Sequence, residues 1–317
     1  MYPVGITHAR VFKFFSDVRH DWLTDAGISY GFLDQDNQSL ETIKTLITAE
    51  LGGEDLKRHP NLEAVIVPFA AISQLDIEAL LGRNIRIFNT SAHAPFVAER
   101  ALGLILAVLG KIVYFHKLLE KGDWAGRVEG GGFGKKWTSL FEKKVAIYGF
   151  GSIGQSLSDL LKPFNVEVGI LRRKNHDVPD LKYFDSLEEL AKWSDVFVVS
   201  APLNESTRGS VNRRVMADLK ESILINVGRG SIIDEKALFE SLYENNLKGF
   251  GCDVWYNYPS PETPICPTSN FPLETFDNVV MTPHNGGSTA NADRVKYLDV
   301  ADQLEMISKG DYSRQVS

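Results

Sequence analysis

The sequence predicts an α/β protein with two domains, and three observations support that prediction. Strand-like and helix-like segments alternate along the chain. A GxGxxG run near its middle lies between an apolar, strand-like segment and a helix-like one. The chain has 317 residues, 44% of them hydrophobic, which is long for a single core and enough apolar material to fill two.

The first part of the chain alternates short apolar runs with helical patterns. Residues 10–15, 63–68 and 85–89 are predicted to be strands, and residues 39–51 and 72–81 are predicted to be helices. No glycine-rich phosphate loop interrupts these segments. This part is therefore expected to be an α/β domain of a different kind from the one that follows.

The second part continues the alternation. A helical run at 96–119 leads into a glycine-rich loop at 122–136, which we interpret as a hinge and domain entry. Further strands are predicted at 166–171, 196–200, 223–227, 249–254 and 279–281. The last predicted helix, 291–308, follows a turn of small residues where the chain could pass back to the first domain.

The glycine-rich run at 143–155, KKVAIYGFGSIGQ, is typical of a dinucleotide phosphate cradle. Gly149 would allow the tight turn, Gly151 the approach of backbone N–H groups to a pyrophosphate, and Gly154 close packing of helix on strand. Ser152 and Ile153 lie between these glycines and belong to the same predicted cofactor site. A helix-like stretch at 156–162 would direct its N-terminus at the phosphates.

The tip of the next strand bears on which dinucleotide is bound. A carboxylate at this position normally accepts the ribose hydroxyls of NAD, but here the strand at 166–171 ends in Arg172, Arg173 and Lys174. Guanidinium groups can hold a 2′-phosphate by charge-assisted hydrogen bonds. We therefore predict NADP(H) in preference to NAD(H). The alternative is a solvated basic turn, which is common at exposed strand ends.

Composition limits the class of protein. A net charge of −7 argues against nucleic acid as the main partner. Cys252 and Cys266 form no disulfide framework or metal-ligand spacing, so no metal site is predicted and a cytoplasmic protein is expected. The longest apolar run, 101–110, is too short to cross a bilayer, and no signal-peptide pattern is evident at the N-terminus.

Three side chains follow predicted strands, where ligands bind in doubly wound sheets. Arg229, between two glycines, could bind a carboxylate through paired hydrogen bonds, or could be a solvated turn arginine. His284 could exchange a proton with an alcohol or carbonyl, or could be structural. Asp253, on an apolar strand, could contact a cofactor amide or form a salt bridge. Together with the cradle, they favour a catalytic cleft.

These motifs make the sequence resemble the D-isomer-specific 2-hydroxyacid dehydrogenase family, which includes glyoxylate and hydroxypyruvate reductases. The ordered marks are VAE at Val97, GFGSIG at Gly149, PL with STRG from Pro202, NVGRG at Asn226, CDVW at Cys252 and TPHNGG at Thr282. The resemblance implies a Rossmann-type doubly wound parallel sheet as the cofactor domain, residues 95–286. It would be inserted in a smaller flavodoxin-like α/β substrate domain, residues 1–94 and 287–317.

The resemblance also implies roles for individual residues. Arg229 would bind the carboxylate of a small 2-hydroxy or 2-keto acid and polarise its keto oxygen, while protonated His284 donates a proton as hydride moves from the nicotinamide. Asp253 would orient the carboxamide. Further contacts to the cofactor are implied for Pro202, Thr207 and Val227. Contacts to the substrate are implied for Ala70, Ala71 and Ile72, with His93 as a further candidate. A homodimer through the cofactor domain is also implied.

One residue departs from the family pattern. A glutamate that pairs with the histidine is usual five residues after the aspartate, and this chain has Tyr258 there. We include Tyr258 among the candidate catalytic residues because a tyrosine can hydrogen-bond the imidazole, although it brings no charge. Glu262 could substitute. The departure leaves two alternatives open: a catalytically weak NADP(H)-binding sensor or scaffold on the same fold and, less favoured, a formate dehydrogenase-like activity.

Overall fold

The computed structural model describes residues 1–33, 40–72, 74–124, 136–171 and 179–316. The chain divides into two compact units. The first unit consists of Met1–His93 and Ser288–Ser317, and the second unit consists of Ala94–Gly287. The first unit is thus built from both ends of the chain, with the second unit inserted between them.

The first unit has a five-stranded parallel sheet among its described residues, in the order β2-β1-β3-β4-β5. This is the flavodoxin-like order, so the predicted fold class of this part is confirmed. The strands are β1 (Tyr2–Ile6), β2 (Ile28–Phe32), β3 (Thr45–Ile47), β4 (Ala64–Val67) and β5 (Arg86–Asn89).

Helices cover the sheet of the first unit. The longest is the final helix, whose residues Tyr297, Val300, Ala301, Leu304 and Ile307 join the buried side chains of β1, β4 and β5 in one core. The C-terminal segment therefore completes the hydrophobic core that the N-terminal segment begins. The helical segments are Ala9–Phe14, the π-helical Phe15–Arg19, His20–Asp25, the 3-10 turn Leu40–Thr42, Gly53–Lys57, Ile77–Gly82 and Ala290–Ser308.

Two elements of the first unit were predicted wrongly. Residues 10–15 lie in a helix rather than a strand, because His8 caps its N-terminus and Val11 and Phe15, four residues apart, are both buried. Residues 39–51 contain the fully buried strand β3, which pairs with β1 and β4. A short buried run cannot be distinguished from a helix segment by its periodicity alone. The predicted helix at 72–81 begins later, at Ile77.

The second unit has a seven-stranded parallel sheet within its described residues, in the order β12-β11-β10-β9-β6-β7-β8. The order reverses at β6, as in the Rossmann doubly wound fold, which confirms the prediction. The strands are β6 (Lys144–Tyr148), β7 (Glu167–Leu171), β8 (Leu181–Phe184), β9 (Val196–Val199), β10 (Ile223–Asn226), β11 (Gly249–Cys252) and β12 (Val279–Met281). The sequence did not predict β8, whose residues are only partly buried.

The predicted helix at 96–119 is two helices. The first ends at Leu109, and Lys111 adopts a left-handed backbone with φ of +50° before the second begins. The helical segments of this unit are Ala94–Leu109, Ile112–Leu119, Ser152–Leu161, Lys162–Phe164, Leu187–Trp193, Arg213–Asp218, Gly230–Ile232, Glu235–Tyr243 and Leu273–Thr275, of which the fourth, seventh and ninth are 3-10 turns.

The register of the second sheet brings the strand ends together. Tyr148 is level with Val199, Val199 with Asn226, Asn226 with Cys252, and Cys252 with Met281. Five neighbouring strands therefore end at the same level. The loops that follow them begin along one edge of the sheet, where ligands bind in this class of fold.

We predict that Leu304→Ala lowers the free energy of unfolding by about 2–5 kcal/mol, because Leu304 is fully buried between the final helix and the first sheet. Urea denaturation monitored by circular dichroism measures the change. Leu81→Ala is the matched control, since Leu81 is an exposed helical leucine of the same unit, and its effect should stay within about 0.5 kcal/mol. Equal effects of the two substitutions would contradict the assignment of this core.

Candidate active site

The glycine-rich turn after β6 has the backbone that the sequence motif requires. Gly149 has a φ of +105°, a conformation that side-chain-bearing residues rarely adopt, and a Cβ added there would lie 2.3 Å from the backbone nitrogen of Ala201. A Cβ on Gly154 would lie 2.6 Å from the carbonyl oxygen of Gly149. These two glycines are therefore required for the turn and for the packing of helix against strand.

Gly151 differs from its two neighbours in the motif. Its Cβ position meets no atom within 4 Å, so nothing in the fold itself demands a glycine there. Gly151 is the N-cap of the helix Ser152–Leu161 and makes no side-chain cap hydrogen bond to the first turn. Open space in front of an uncapped helix N-terminus fits an approaching phosphate group. Ile153 lies in the same first turn, which begins four residues earlier than predicted.

The loop after β9 is held by Thr207. Its hydroxyl donates to the carbonyl oxygen of Pro202 at 2.6 Å and accepts from the backbone N–H of Asn204 at 2.8 Å. Thr207 is buried and Pro202 is exposed. Thr207 therefore shapes the loop that presents Pro202 at the edge of the sheet.

Asn226 shapes the turn that carries Arg229. This buried side chain donates to the carbonyl oxygen of Arg229 at 3.1 Å and accepts from the N–H of Gly228 at 3.0 Å. The guanidinium, half-buried, donates to the carbonyl oxygen of Gly228 at 2.8 Å. Val227, at the start of the turn, is buried. Sequence reasoning missed Asn226, although an asparagine two residues before a glycine is a recognised turn signal.

The glycines on either side of Arg229 are required by close backbone packing rather than by a left-handed turn. Neither has a positive φ, so they do not provide the sharp turn. A Cβ on Gly230 would lie 2.3 Å from the carbonyl oxygen of Trp255, and one on Gly228 would lie 2.8 Å from that of Ala201. They are needed because neighbouring backbone segments pass close to this turn.

His284 lies in a loop whose conformation is fixed by Asp253. The histidine has a left-handed backbone with φ of +53°. One oxygen of Asp253 accepts from the hydroxyl of Thr282 at 2.5 Å and from the N–H of Asn285 at 3.2 Å, and the other accepts from the N–H of Gly286 at 2.9 Å. The buried carboxylate therefore binds the loop on both sides of the histidine. Sequence reasoning missed Thr282.

Tyr258 contacts His284 by its ring. The two ring centroids lie 5.4 Å apart at an interplanar angle of 53°, while the tyrosine hydroxyl accepts from the backbone N–H of Trp255 at 3.0 Å. In the structure the hydroxyl is thus bound to the backbone rather than to the imidazole. Glu262, the possible substitute, is exposed and accepts from the hydroxyl of Ser260 at 2.8 Å.

The electrostatic surroundings of His284 favour its neutral form. Loss of surrounding water lowers the pKa of His284, the Arg229 guanidinium lowers it further, and the Asp253 carboxylate acts in the opposite direction. Burial raises the pKa of Tyr258, which stays uncharged at neutral pH. Arg229, Tyr258, Asp253 and His284 thus act on one another within the second unit.

The residues predicted to contact the substrate belong to the first unit. Ala70 and Ala71 are exposed and Ile72 is half-buried, in the loop after β4. The carbonyl oxygen of Ala70 accepts from the Asn89 side chain at 2.6 Å, which fixes this loop to the end of β5. His93 is half-buried at the end of the unit. The basic residues predicted to select the cofactor, Arg172, Arg173 and Lys174, lie outside the described residues.

Other chemistries find little support in the part of the chain that the structure describes. Cys252 is buried, burial raises the pKa of its thiol, and its Sγ donates to the carbonyl oxygen of Val254 at 2.7 Å. No cluster of three or more His, Cys, Asp or Glu side chains suited to a metal ion occurs among the described residues. Within the same ranges no helix has the length and apolar character needed to cross a membrane.

Comparisons with known proteins agree with this geometry. Residues 102–286 match the model of the family described as D-isomer specific 2-hydroxyacid dehydrogenase, NAD binding domain. A hydroxypyruvate reductase of Thermotoga maritima is 31% identical over 266 residues, covering 82% of this chain and 81% of that protein. A mitochondrial formate dehydrogenase of Oryza sativa is 28% identical over 310 residues, covering 92% of this chain and 79% of that protein.

Solved structures have the same fold. The crystal structure of an NADPH-dependent glyoxylate/hydroxypyruvate reductase from Sinorhizobium meliloti, in complex with citrate, superposes with a TM-score of 0.80. The two sequences are 24% identical, and the match covers 100% of this chain and 98% of that one.

We predict that Gly151→Ala weakens dinucleotide binding by at least about tenfold, because the added methyl group occupies the open approach to the helix N-terminus. Folding should change by less than about 1 kcal/mol, since the methyl group meets no protein atom. Titration calorimetry and thermal melting measure the two effects. Gly103→Ala, an exposed helical position with equally open space, is the matched control and should leave binding unaltered. Unchanged binding by Gly151→Ala would rule out this phosphate site.

Proposed function

Because the chain belongs to the D-isomer specific 2-hydroxyacid dehydrogenase family, whose members are NAD(P)-dependent oxidoreductases acting on CH–OH groups, we propose that it reduces small 2-keto acids with NADP(H). The observation that carries this proposal is the strand register that brings Arg229 and His284 to the sheet edge that also holds the glycine cradle. Such a reaction needs a cation for the substrate carboxylate, a proton donor and a binding site for the cofactor phosphates.

The proposed reaction uses Arg229 and His284 in distinct roles. Arg229 binds the substrate carboxylate and stabilises the negative charge that develops on the keto oxygen. A bound nicotinamide would supply the hydride for the carbonyl carbon. Protonated His284 supplies the proton to the keto oxygen. In the oxidative direction neutral His284 accepts that proton from the hydroxyl group.

Asp253 and Tyr258 act on His284 in this proposal. The three hydrogen bonds from the loop to Asp253 hold His284 in a left-handed backbone conformation, which is uncommon for residues other than glycine. The remaining acceptor capacity of Asp253 is available for the nicotinamide carboxamide. Tyr258 limits the rotation of the imidazole by ring contact and adds no charge.

The two units take different roles in this proposal. Residues 95–286 form the cofactor domain, where the cradle from Gly149 to Gly154, together with Pro202, Thr207 and Val227, would hold the dinucleotide. Residues 1–94 and 287–317 form the substrate domain, where Ala70, Ala71 and Ile72 would bind the substrate carboxylate through backbone N–H groups and His93 would contact the substrate. We further propose a homodimer through the cofactor domain, acting in the cytoplasm.

The preference for NADP(H) rests on the sequence of the strand tip. Arg172, Arg173 and Lys174 replace the carboxylate that binds the ribose diol of NAD. The solved reductase from Sinorhizobium meliloti is NADPH-dependent, which is in keeping with this proposal for a chain of the same fold. Glyoxylate and hydroxypyruvate are the first substrates to test, since relatives are named for them.

We predict turnover of NADPH with glyoxylate or hydroxypyruvate and loss of at least about a hundredfold of kcat/KM in Arg229→Ala and His284→Ala, because each removes a group that acts on the transition state. Arg213→Ala and His116→Ala, both exposed positions, are matched controls that should stay near wild type. If Arg229→Ala keeps more than about a tenth of the activity, its role is wrong.

The same assay, run with NADH and with formate, separates the alternatives. Affinities for NADPH and NADH within about threefold of each other would remove the cofactor preference. Reduction of NADP⁺ by formate, without turnover of keto acids, would favour a formate dehydrogenase-like activity. Tight NADPH binding with no turnover on any substrate would favour the sensor.

We predict that reduction declines as pH rises through a midpoint below about 6.5, since desolvation and Arg229 lower the pKa of His284 and reduction needs the imidazolium form. Tyr258→Glu should move the midpoint to higher pH, because a carboxylate beside the imidazole stabilises its charged form. Tyr258→Phe keeps the ring without adding charge and should not raise the midpoint. The measurement is kcat/KM for keto acid reduction against pH. A midpoint that Tyr258→Glu leaves unmoved would contradict this account.

A further inference from the structure

A buried lysine in the first unit has no part in the proposed reaction so far. Lys296 lies near the start of the final helix, with only 5% of its surface exposed. Lysine is almost never so buried unless its charge is paired, because removing an ammonium group from water is costly. The surroundings of this ammonium group therefore indicate what it binds.

Lys296 has an incomplete set of partners. Its Nζ lies 2.7 Å from a carboxylate oxygen of Asp293, one helical turn earlier, and this is its one ion pair among the described residues. The faces of Phe69 and Tyr297 lie 5.4 and 5.7 Å from Nζ, at cation–π distance. An ammonium group has three N–H donors, so two of them remain for another acceptor.

His8 adds a second donor at the same place. Its ring lies 5.4 Å from that of Phe69, and its Nδ1 accepts from the backbone N–H of Val11 at 3.4 Å. Because Nδ1 is an acceptor, the proton of the neutral imidazole is on Nε2. Burial lowers the pKa of His8, and the charges of Arg10 and Lys296 lower it further, so the neutral form prevails at pH 7. In that tautomer Nε2–H is the hydrogen-bond donor of the ring.

The position of this cluster in the fold is that of a ligand site. His8 follows β1 and Phe69 follows β4, so both lie at the carboxyl edge of the first sheet, where doubly wound domains bind ligands. Phe69 directly precedes Ala70, the start of the loop proposed to bind the substrate carboxylate.

The charges around the cluster favour an anion. Lys296 and Asp293 form an ion pair, His8 is neutral, and the exposed Arg10 adds a positive charge near His8. An uncharged side chain of similar length could fill the space of Lys296 without the cost of burying a charge. An ammonium group kept at that cost is suited to bind a further anion.

We propose that Lys296 and His8 bind a second anionic group of the substrate, so that the preferred 2-keto acid carries a distal carboxylate or phosphate in addition to its 2-keto carboxylate. This inference rests on the proposed reductase function and makes its substrate class specific. The loop from Ala70 to Ile72 binds the 2-keto carboxylate in this proposal, and the Lys296 cluster of the same unit binds the distal anionic group.

Matched pairs of substrates test the proposal. 2-Ketoglutarate and 2-ketovalerate have the same chain length and differ in the distal carboxylate. 3-Phosphohydroxypyruvate and hydroxypyruvate differ in a phosphate group. We expect wild-type kcat/KM to be about tenfold or more higher for the dianion in at least one pair. A charge-assisted hydrogen bond in a buried site contributes a factor of about this size. The pair that shows the preference identifies the group as carboxylate or phosphate.

Variants connect the preference to the cluster. In Lys296→Met the ratio of kcat/KM for the dianion to that for the monoanion should fall about tenfold, and Lys296→Arg should keep part of it. A purely structural lysine would change both substrates alike and leave the ratio unmoved. Lys309→Met, at the exposed end of the same helix, is the matched control. If Lys296→Met does not fold, Lys296→Gln replaces it.

Binding measurements distinguish failure of this inference from failure of the proposed function. Calorimetric titration of the protein with NADP⁺ present compares 2-ketoglutarate with 2-ketovalerate, and the phosphorylated with the unphosphorylated pair, without need of turnover. Tighter binding of the dianion that is lost in Lys296→Met supports the site even if the protein is not a reductase. Turnover or binding of monoanions with no preference for either dianion would overturn the inference and leave the reductase function standing.

Discussion

The parallel register of the second sheet is the constraint on which the candidate site depends. Because Tyr148, Val199, Asn226, Cys252 and Met281 end their strands at one level, the following loops emerge side by side along one edge. A shift of one residue would exchange the side chains that a strand packs into the two hydrophobic cores, one on each face of the sheet. The hydrophobic core that fixes the register thereby also fixes where the functional side chains begin.

Close approach between backbone segments then limits which residues these loops can contain. Gly149, Gly228 and Gly230 each lie where a Cβ would collide with the backbone of a neighbouring loop. Gly151 is different, since the fold leaves its side free. A glycine kept where the protein does not require it points to a ligand, and the same reasoning applies to a charge kept where packing does not need one, as at Lys296.

The surroundings of His284 combine strict positioning with weak electrostatic support. Asp253 holds both sides of the loop by hydrogen bonds, so its charge is largely engaged by backbone and hydroxyl donors. Arg229 opposes a positive charge on the imidazole, and Tyr258 offers a ring in place of a carboxylate. The conformation of the His284 loop is thus firmly held while the protonated form of the histidine is disfavoured.

The sequence by itself determined the α/β class, the cradle at Gly149 to Gly154, and the strand-end positions of Arg229 and His284, because glycine motifs and apolar runs are local signals. The two sheet architectures followed from the resemblance to a known family. The sequence could not distinguish strand from helix at residues 10–15 or 39–51, because short apolar runs fit both periods until a neighbouring strand or helix cap decides between them. Only the tertiary structure decided that Asn226 and Thr282 hold the loops of Arg229 and His284, that the Tyr258 hydroxyl binds backbone rather than imidazole, and that Lys296 is buried beside Phe69. These are contacts between residues distant in sequence or dependent on loop conformation, and no local pattern specifies them.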